Sequence, residues 1–301
     1  MPMPRSNAGL LLALLGVLGF SFSLPWTVWA LQSFDPLLTA TGRAVIAGIV
    51  AGVILLVRRV PLPDRAMIRP LLYTMAGAVF GWPILIALAL QRTTAAHAAV
   101  IAAVMPLVTA VIAVLRTQEK VARQFWIAAA AGTAALVVFA LLRGGGTGGD
   151  PLADVLIAGA VVSSSWCYVE GATLTRLMPG WQVISWVVVL ALPLTVPLTI
   201  ALVARGAVTT PVTVHAWVGL VMLGLVSMYF AFFAWYQGLA MAGVARGAQT
   251  QQLQAPLTLL WSALLLGETI TLATVVTALA VVACVAWAVR VRKPTVIAPE
   301  E

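Results

Sequence analysis

The stretch Arg143-Gly144-Gly145-Gly146-Thr147-Gly148-Gly149-Asp150 interrupts the apolar pattern near the middle of this 301-residue chain. Glycine-rich segments of this kind behave as flexible linkers. Before it lie apolar runs at about 9–31, 36–57, 70–90, 95–115 and 124–142. After it lie runs at about 152–173, 182–203, 214–238, 244–266 and 270–290. A helix needs ~20 apolar residues to cross ~30 Å of hydrocarbon, and these runs are of that length. The pattern predicts an all-α polytopic membrane protein with ten transmembrane helices, five in residues 1–142 and five in residues 152–301, joined by a linker at 143–151.

Composition supports this class. Hydrophobic residues make up 62% of the chain and charged residues 9%, with a mean hydropathy of +1.06. Soluble domains run near ~25% charged, so soluble enzymes, disordered tails, coiled coils and disulfide scaffolds are excluded. A β-barrel would show ~10-residue segments of alternating polarity, whereas these runs are continuous. Cys167 and Cys284 lie inside apolar runs without disulfide or metal spacing. The run from Leu10 follows Arg5 like a signal peptide, yet shows no small-residue cleavage site before Pro25-Trp26 and reads as the first span. The net charge of +8 sits at the ends of apolar runs, which reflects membrane topology and not nucleic-acid binding.

With the N-terminus inside, the cytoplasmic side holds Arg5, Arg58, Arg59, Arg65, Arg69, Arg116, Lys120, Arg123, Arg176, Arg246, Arg290, Arg292 and Lys293. The outer loops hold Arg92, Arg143 and Arg205. This positive-inside bias predicts that both termini are cytoplasmic. Five spans per half make the halves antiparallel to each other. An offset of 150 residues sets Phe80 on Phe230, Ala98 on Ala248 and the mid-span pair Pro106-Leu107 on Pro256-Leu257. An offset of 140 sets Gly19, Ser23 and Trp26 on Gly159, Ser163 and Trp166. The expectation is two inverted repeats around a central cavity, the arrangement of secondary transporters, whose sites lie near the membrane midplane.

Polar residues inside spans are costly and usually face the bundle interior. Gln249, Thr250, Gln251, Gln252 and Gln254 crowd one stretch ahead of Pro256. On an α-helix, Gln249 and Gln252 share one face and Gln251 and Gln254 another. The equivalent stretch in the first half is apolar, so these glutamines are read either as substrate contacts or as interhelical hydrogen-bonding groups. Trp26 and Trp166, well within the bilayer, are expected to wall the cavity with Trp82 and Tyr229. Ser163, Gln249, Gln252 and His97 are expected to meet polar ends of a solute. His97 reads otherwise as an interfacial histidine. Arg43, seven residues into the second span, either snorkels to the surface or anchors a carboxylate. Pro25, Pro106 and Pro256 are candidate kinks or hinges. No metal cluster, nucleophile elbow, Walker A sequence or redox cysteine pair occurs in the sequence, so no cofactor, metal or catalytic residue is expected and the chain is not read as an enzyme.

Two five-span halves, Pro106 and Pro256 at equivalent positions, and Leu266-Gly267-Glu268 closing the ninth run together resemble the EamA-like branch of the drug/metabolite transporter superfamily. The first half departs from the pattern, with Arg116-Thr117-Gln118-Glu119 in place of the usual Gly-Glu ending. Within that branch the chain is most similar to bacterial aromatic amino acid exporters of the inner membrane. The resemblance implies a basket-like bundle that exports small amphipathic metabolites, aromatic and hydrophobic amino acids foremost, by alternating access and without ATP. Expected partners are a small-molecule substrate and the lipid bilayer, with a monomer sufficient and no nucleic acid. The competing reading is a membrane structural or sensory protein, or a lipid-acting membrane enzyme, without solute flux.

Overall fold

The computed structural model describes residues 5–90, 92, 101–102, 104–118, 123–142 and 150–267, with residues 272, 276, 279–280, 283–284 and 287. Regular structure among them is helical apart from one antiparallel bridge between Phe34 and Val208. The helices are α1 (Arg5–Ser21), α2 (Ser23–Ala30), α3 (Pro36–Val57), α4 (Arg65–Met75), α5 (Trp82–Leu90), α6 (Met105–Thr117), α7 (Arg123–Leu142), α8 (Pro151–Leu174), α9 (Gly180–Ala204), α10 (Val214–Met222), α11 (Ala231–Ala242), α12 (Val244–Ala248) and α13 (Gln254–Leu266).

Among the described residues, six continuous helical stretches are long and apolar enough to cross a bilayer: Asn7–Ala30, Pro36–Val57, Arg65–Ala89, Pro151–Leu174, Gly180–Ala204 and Val214–Ala242. The chain is thus a multi-pass membrane protein. The 20-residue α7 covers the fifth predicted span. Residues 143–149 of the 143–151 linker and most of the tenth predicted span lie outside the described residues.

Helix starts follow from local chemistry. Asp35 and Asp150 accept hydrogen bonds from the amides of Leu37 and Leu152 at 2.8 and 2.9 Å, each just ahead of a proline in the first turn. Their carboxylates satisfy amides that have no intrahelical partner, and the proline has none to satisfy. The third span begins earlier than its apolar run, at Arg65 and not near residue 70. Arg65 and Arg69 are exposed one turn apart while Leu71 is buried, so the opening turn carries its charges on one side and still packs. Pro70 is accommodated inside it.

Several predicted spans are not uniform α-helices. The first is interrupted at Phe22, between α1 and α2. The third passes through a π-helical segment, Ala76–Gly81, and the eighth through another, Leu223–Phe230. The fourth, expected at 95–115, has a turn at Val104 before α6. The ninth, expected at 244–266, splits into α12, a 3-10 turn at Gln249–Leu253, and α13. Non-α backbone at membrane depth is tolerated where it is buried in protein or lines a cavity. Each candidate hinge proline follows such a break closely: Pro25 after Phe22, Pro106 after Val104 and Pro256 after the 3-10 turn. Lacking an N–H, proline is well suited to the opening turns of the helix that resumes.

Close helix approach depends on small residues. A Cβ added at Gly9 would lie 2.7 Å from Met241 Cβ, and one at Gly16 2.8 Å from Trp235 Cβ, so α1 runs antiparallel to α11 at near-backbone contact. Gly48 packs on Leu192, joining α3 to α9. Gly77 and Gly81 pack on Ser163 and Cys167, joining the third span to α8. The ends are tied too: Thr209 donates to the Ser33 carbonyl at 2.7 Å and Asp35 to that of Ala207 at 2.9 Å.

Candidate functional site

Three polar groups are built into the interior where the interrupted spans meet. In the first, the 3-10 turn presents Gln249 and Gln252, which are 0% and 1% exposed. At ~3 residues per turn, side chains three apart eclipse each other. Gln252 Nε2 donates to Gln249 Oε1 at 2.7 Å and, more weakly, to the Ala129 carbonyl of α7 at 3.4 Å. Gly132 leaves the space that the Gln252 amide occupies. An α-helix would have offset this pair, so the expected shared face is sharpened by the local change of helix type.

In the second group, Gln251 points the other way. Its Nε2 donates to Tyr168 OH at 3.3 Å and contacts Met105 Sδ at 3.3 Å. Nearby, Thr109 donates to Ser165 Oγ at 3.0 Å, which faces the Met105 carbonyl at 3.4 Å. That carbonyl stands beside the break at Val104. A hydroxyl of α8, held by one of α6, thus adds a contact to the first carbonyl of the resumed helix.

In the third, Ser23 and Ser227 share a hydrogen bond at 2.5 Å, and Arg43 approaches Ser227 Oγ at 3.5 Å. Ser23 opens α2 after the Phe22 interruption, and Ser227 lies in the second π-helical segment.

Aromatic rings enclose these groups. Tyr168 lies 5.2 Å from Trp235 and 6.3 Å from Phe20, centroid to centroid, and Phe20 lies 4.9 Å from Phe232. A second stack runs Trp26–Phe22–Trp261, with centroids 4.9 and 4.3 Å apart. Trp261 Nε1 donates to Ser21 Oγ and Thr258 to the Ser21 carbonyl, each at 2.8 Å, at the end of α1.

Several enclosed polar atoms have no partner: Gln249 Nε2, Gln251 Oε1, Gln252 Oε1, Trp235 Nε1, Tyr236 OH and Arg43 Nε. Buried groups left unmade cost ~1–3 kcal/mol each. Concentrated here, beside rings, they leave unmet hydrogen-bonding capacity in an otherwise apolar interior.

The expected cavity residues separate. Trp26 is buried, yet it belongs to a cluster with Ala30, Phe34, Leu220 and Leu223 toward the end where Phe34 meets Val208. Trp166 is 40% exposed on the outer side of α8, unlike its supposed counterpart Trp26. One register step separates it from Ser165 and Cys167, which face inward. Ser163 packs against Gly81, next to partly buried Trp82. Tyr229 is fully buried and shares a hydrogen bond with Ser185 of α9 at 2.7 Å. His97 lies outside the described residues. Among the described members of that set, only Gln249 and Gln252 are hydrogen-bonded to each other. Tyr168, Gln251 and Ser227 carry more of the observed network. Their signal in the sequence was a hydroxyl or amide in a strongly apolar run, which is shared with many residues that merely pack. Among the described residues, no group of three or more His, Cys, Asp or Glu side chains is placed to hold a metal ion.

A helical bundle with interrupted spans around a buried polar and aromatic interior defines a class, the multi-pass helical membrane proteins. The sequence model of the EamA-like transporter family matches residues 7–141 and again 151–290. The chain belongs to this family. It is 41% identical over 291 residues to a Bacillus subtilis (strain 168) protein named "Uncharacterized transporter YdeK", an alignment covering 97% of this chain and all of the relative. A solved crystal structure superposes with a TM-score of 0.78 at 22% identity, covering 96% of this chain and all of that one, a likeness of fold. Family and relative point to a transporter and not an enzyme.

Proposed function

We propose that this chain is a secondary, ATP-independent exporter of small amphipathic metabolites, with aromatic and hydrophobic amino acids as its foremost substrates. It works by alternating access between two inverted five-span repeats, residues 1–142 and 152–301, across the 143–151 linker. It resides in the bacterial inner membrane with both termini cytoplasmic. A monomer suffices.

The observation that carries this reading is the set of partnerless donors and acceptors on Gln249, Gln251, Gln252, Trp235 and Tyr236 beside edge-to-face rings. Discontinuous helices bring them together, the construction that transporters use at midplane sites. Packing partners support the repeat. The third span packs on the sixth as the eighth packs on the first, and π-helical segments occur in the third and the eighth. The basic residues Arg58, Arg59, Arg65, Arg69, Arg116, Arg123 and Arg176 fall at one end of the alternating helices, which supports the orientation. Gln249, Gln252, Tyr229, Trp26, Trp82, Ser163 and His97 are the proposed lining, and Pro25, Pro106 and Pro256 the hinges. Trp166 joins only if α8 turns.

Purified protein in liposomes is expected to move labelled phenylalanine or tryptophan, measured with and without an imposed pH gradient. Flux of other solutes but of neither amino acid would remove the substrate assignment.

A further inference from the structure

We propose that Arg43 is the anion-recognising residue of the transport site, so that the solutes carried by this protein bear a carboxylate. The proposal rests on the transporter reading and names its substrate class.

Arg43 lies seven residues past Pro36 on α3, ~10 Å along the helix axis. A charged side chain at that depth is expensive and is normally paired or functional. Ile49, Val53 and Leu56, with Val57 at the helix end, are the strongly exposed residues of α3. Arg43 is turned from that stripe toward the eighth span, where its Nη2 approaches Ser227 Oγ. The Arg43 Nε is fully enclosed and makes no hydrogen bond. A guanidinium offers five donors in a planar fork matched to a carboxylate. Among the described residues, its one hydrogen bond is the long contact to a neutral hydroxyl.

No carboxylate among the described residues pairs with Arg43. Elsewhere the same molecule matches arginine with acid: Arg92 with Asp150 at 2.8 Å and Arg116 with Glu170 at 2.7 Å. An arginine needed only for packing would be matched likewise or replaced by an apolar residue. Its neighbours suit an occupant. Ser227 is on a π-helical segment and Ser23 opens a resumed helix. Tyr168 lies within electrostatic reach and belongs to the Phe20, Phe232 and Trp235 cluster. A carboxylate on the guanidinium would direct an apolar body toward those rings.

The test uses full-length protein in liposomes, with labelled L-phenylalanine and L-leucine, their amides, and the cation ethidium as probes. Wild type is expected to move the acids at least ~10-fold faster than the amides. Arg43→Gln should abolish that preference while retaining amide flux, and Arg43→Lys should restore part of it, since charge returns without the fork. Equal acid and amide flux in wild type would overturn the proposal, as would undiminished acid preference in R43Q or equal loss of both probes there. Should R43Q fail to fold, the wild-type ratio and R43K decide in the same way. Ethidium or amide flux without acid flux would sink the carboxylate assignment and leave transport standing. Absence of all flux from folded wild type would sink both.

Discussion

Arg116 donates through Nε to Oε1 of Glu170 at 2.7 Å, tying the C-terminal end of α6 to that of α8. Glu170 is 2% exposed and Arg116 half exposed. The pair bridges the segments on either side of the linker at the end rich in arginine. Breaking a buried pair from one side is costly because it strands a charge, although water screens the arginine side here. Arg116→Ala should destabilise the protein by about 1–2 kcal/mol, discounted for that exposure. Glu170→Gln added to R116A should recover part of the loss. Unfolding followed in detergent by circular dichroism, as a double-mutant cycle, reads the coupling.

Gly132 of α7 makes room for the Gln252 amide. Gly132→Ala would push against the end of a flexible side chain and not against backbone. The fold should therefore survive, with a melting temperature within a few degrees of wild type, while the Gln252–Gln249 hydrogen bond is displaced. Gln252→Leu should leave Gln249 Oε1 without a donor, at a cost of about 1–3 kcal/mol. If the pair lines the transport route, both variants lower flux in liposomes. Unchanged flux in both would assign the pair to packing.

The α1–α11 contact predicts a sharp difference between two glycines. A Cβ at Gly16 meets Trp235 Cβ at 2.8 Å and the Ala231 carbonyl at 2.9 Å. Gly16→Val should cost about 1–3 kcal/mol by overpacking. Gly52 on α3 has its nearest neighbour, Val189 Cγ2, at 3.8 Å. Gly52→Ala should be neutral or slightly stabilising, since alanine is the better helix former. Thermal melts of the two variants compare them directly.

At the opposite end from Glu170, the Asp150 carboxyl is held below the usual carboxylate range, first by the hydrogen bond from Arg92 and then by the Leu152 amide. Its folded pKa is depressed relative to the unfolded chain. Its contribution to stability is therefore present above about pH 4 and fades as pH falls through the lower folded value. Asp150→Asn should reduce the melting temperature slightly at pH 7, and the difference from wild type should shrink as pH falls below the usual carboxylate range. The site is exposed, so the effect is small.

Much of the bundle was legible because lipid imposes one demand on backbone: hydrogen-bond locally. Pro36–Val57, Pro151–Leu174 and Gly180–Ala204 fall within a few residues of their apolar runs for that reason. The predicted start near residue 70 was late because a hydropathy reading discards Arg65 and Arg69, although an opening turn tolerates charges that reach the interface. The site was less legible. Gln249 and Gln252 stood out as amides in hydrocarbon, but a serine such as Ser227 does not differ in sequence from one that merely packs.

Sequence by itself determined the membrane class, the approximate places of the long spans and the family, since apolar run length, charge at run ends and short motifs are properties of the chain alone. Tertiary structure decided where helices depart from α geometry, why Trp26 is enclosed while Trp166 faces outward, and that Arg43 meets Ser227. Those outcomes depend on which neighbour fills each space and supplies each hydrogen-bond partner, and neighbours 184 residues apart are brought together only by folding.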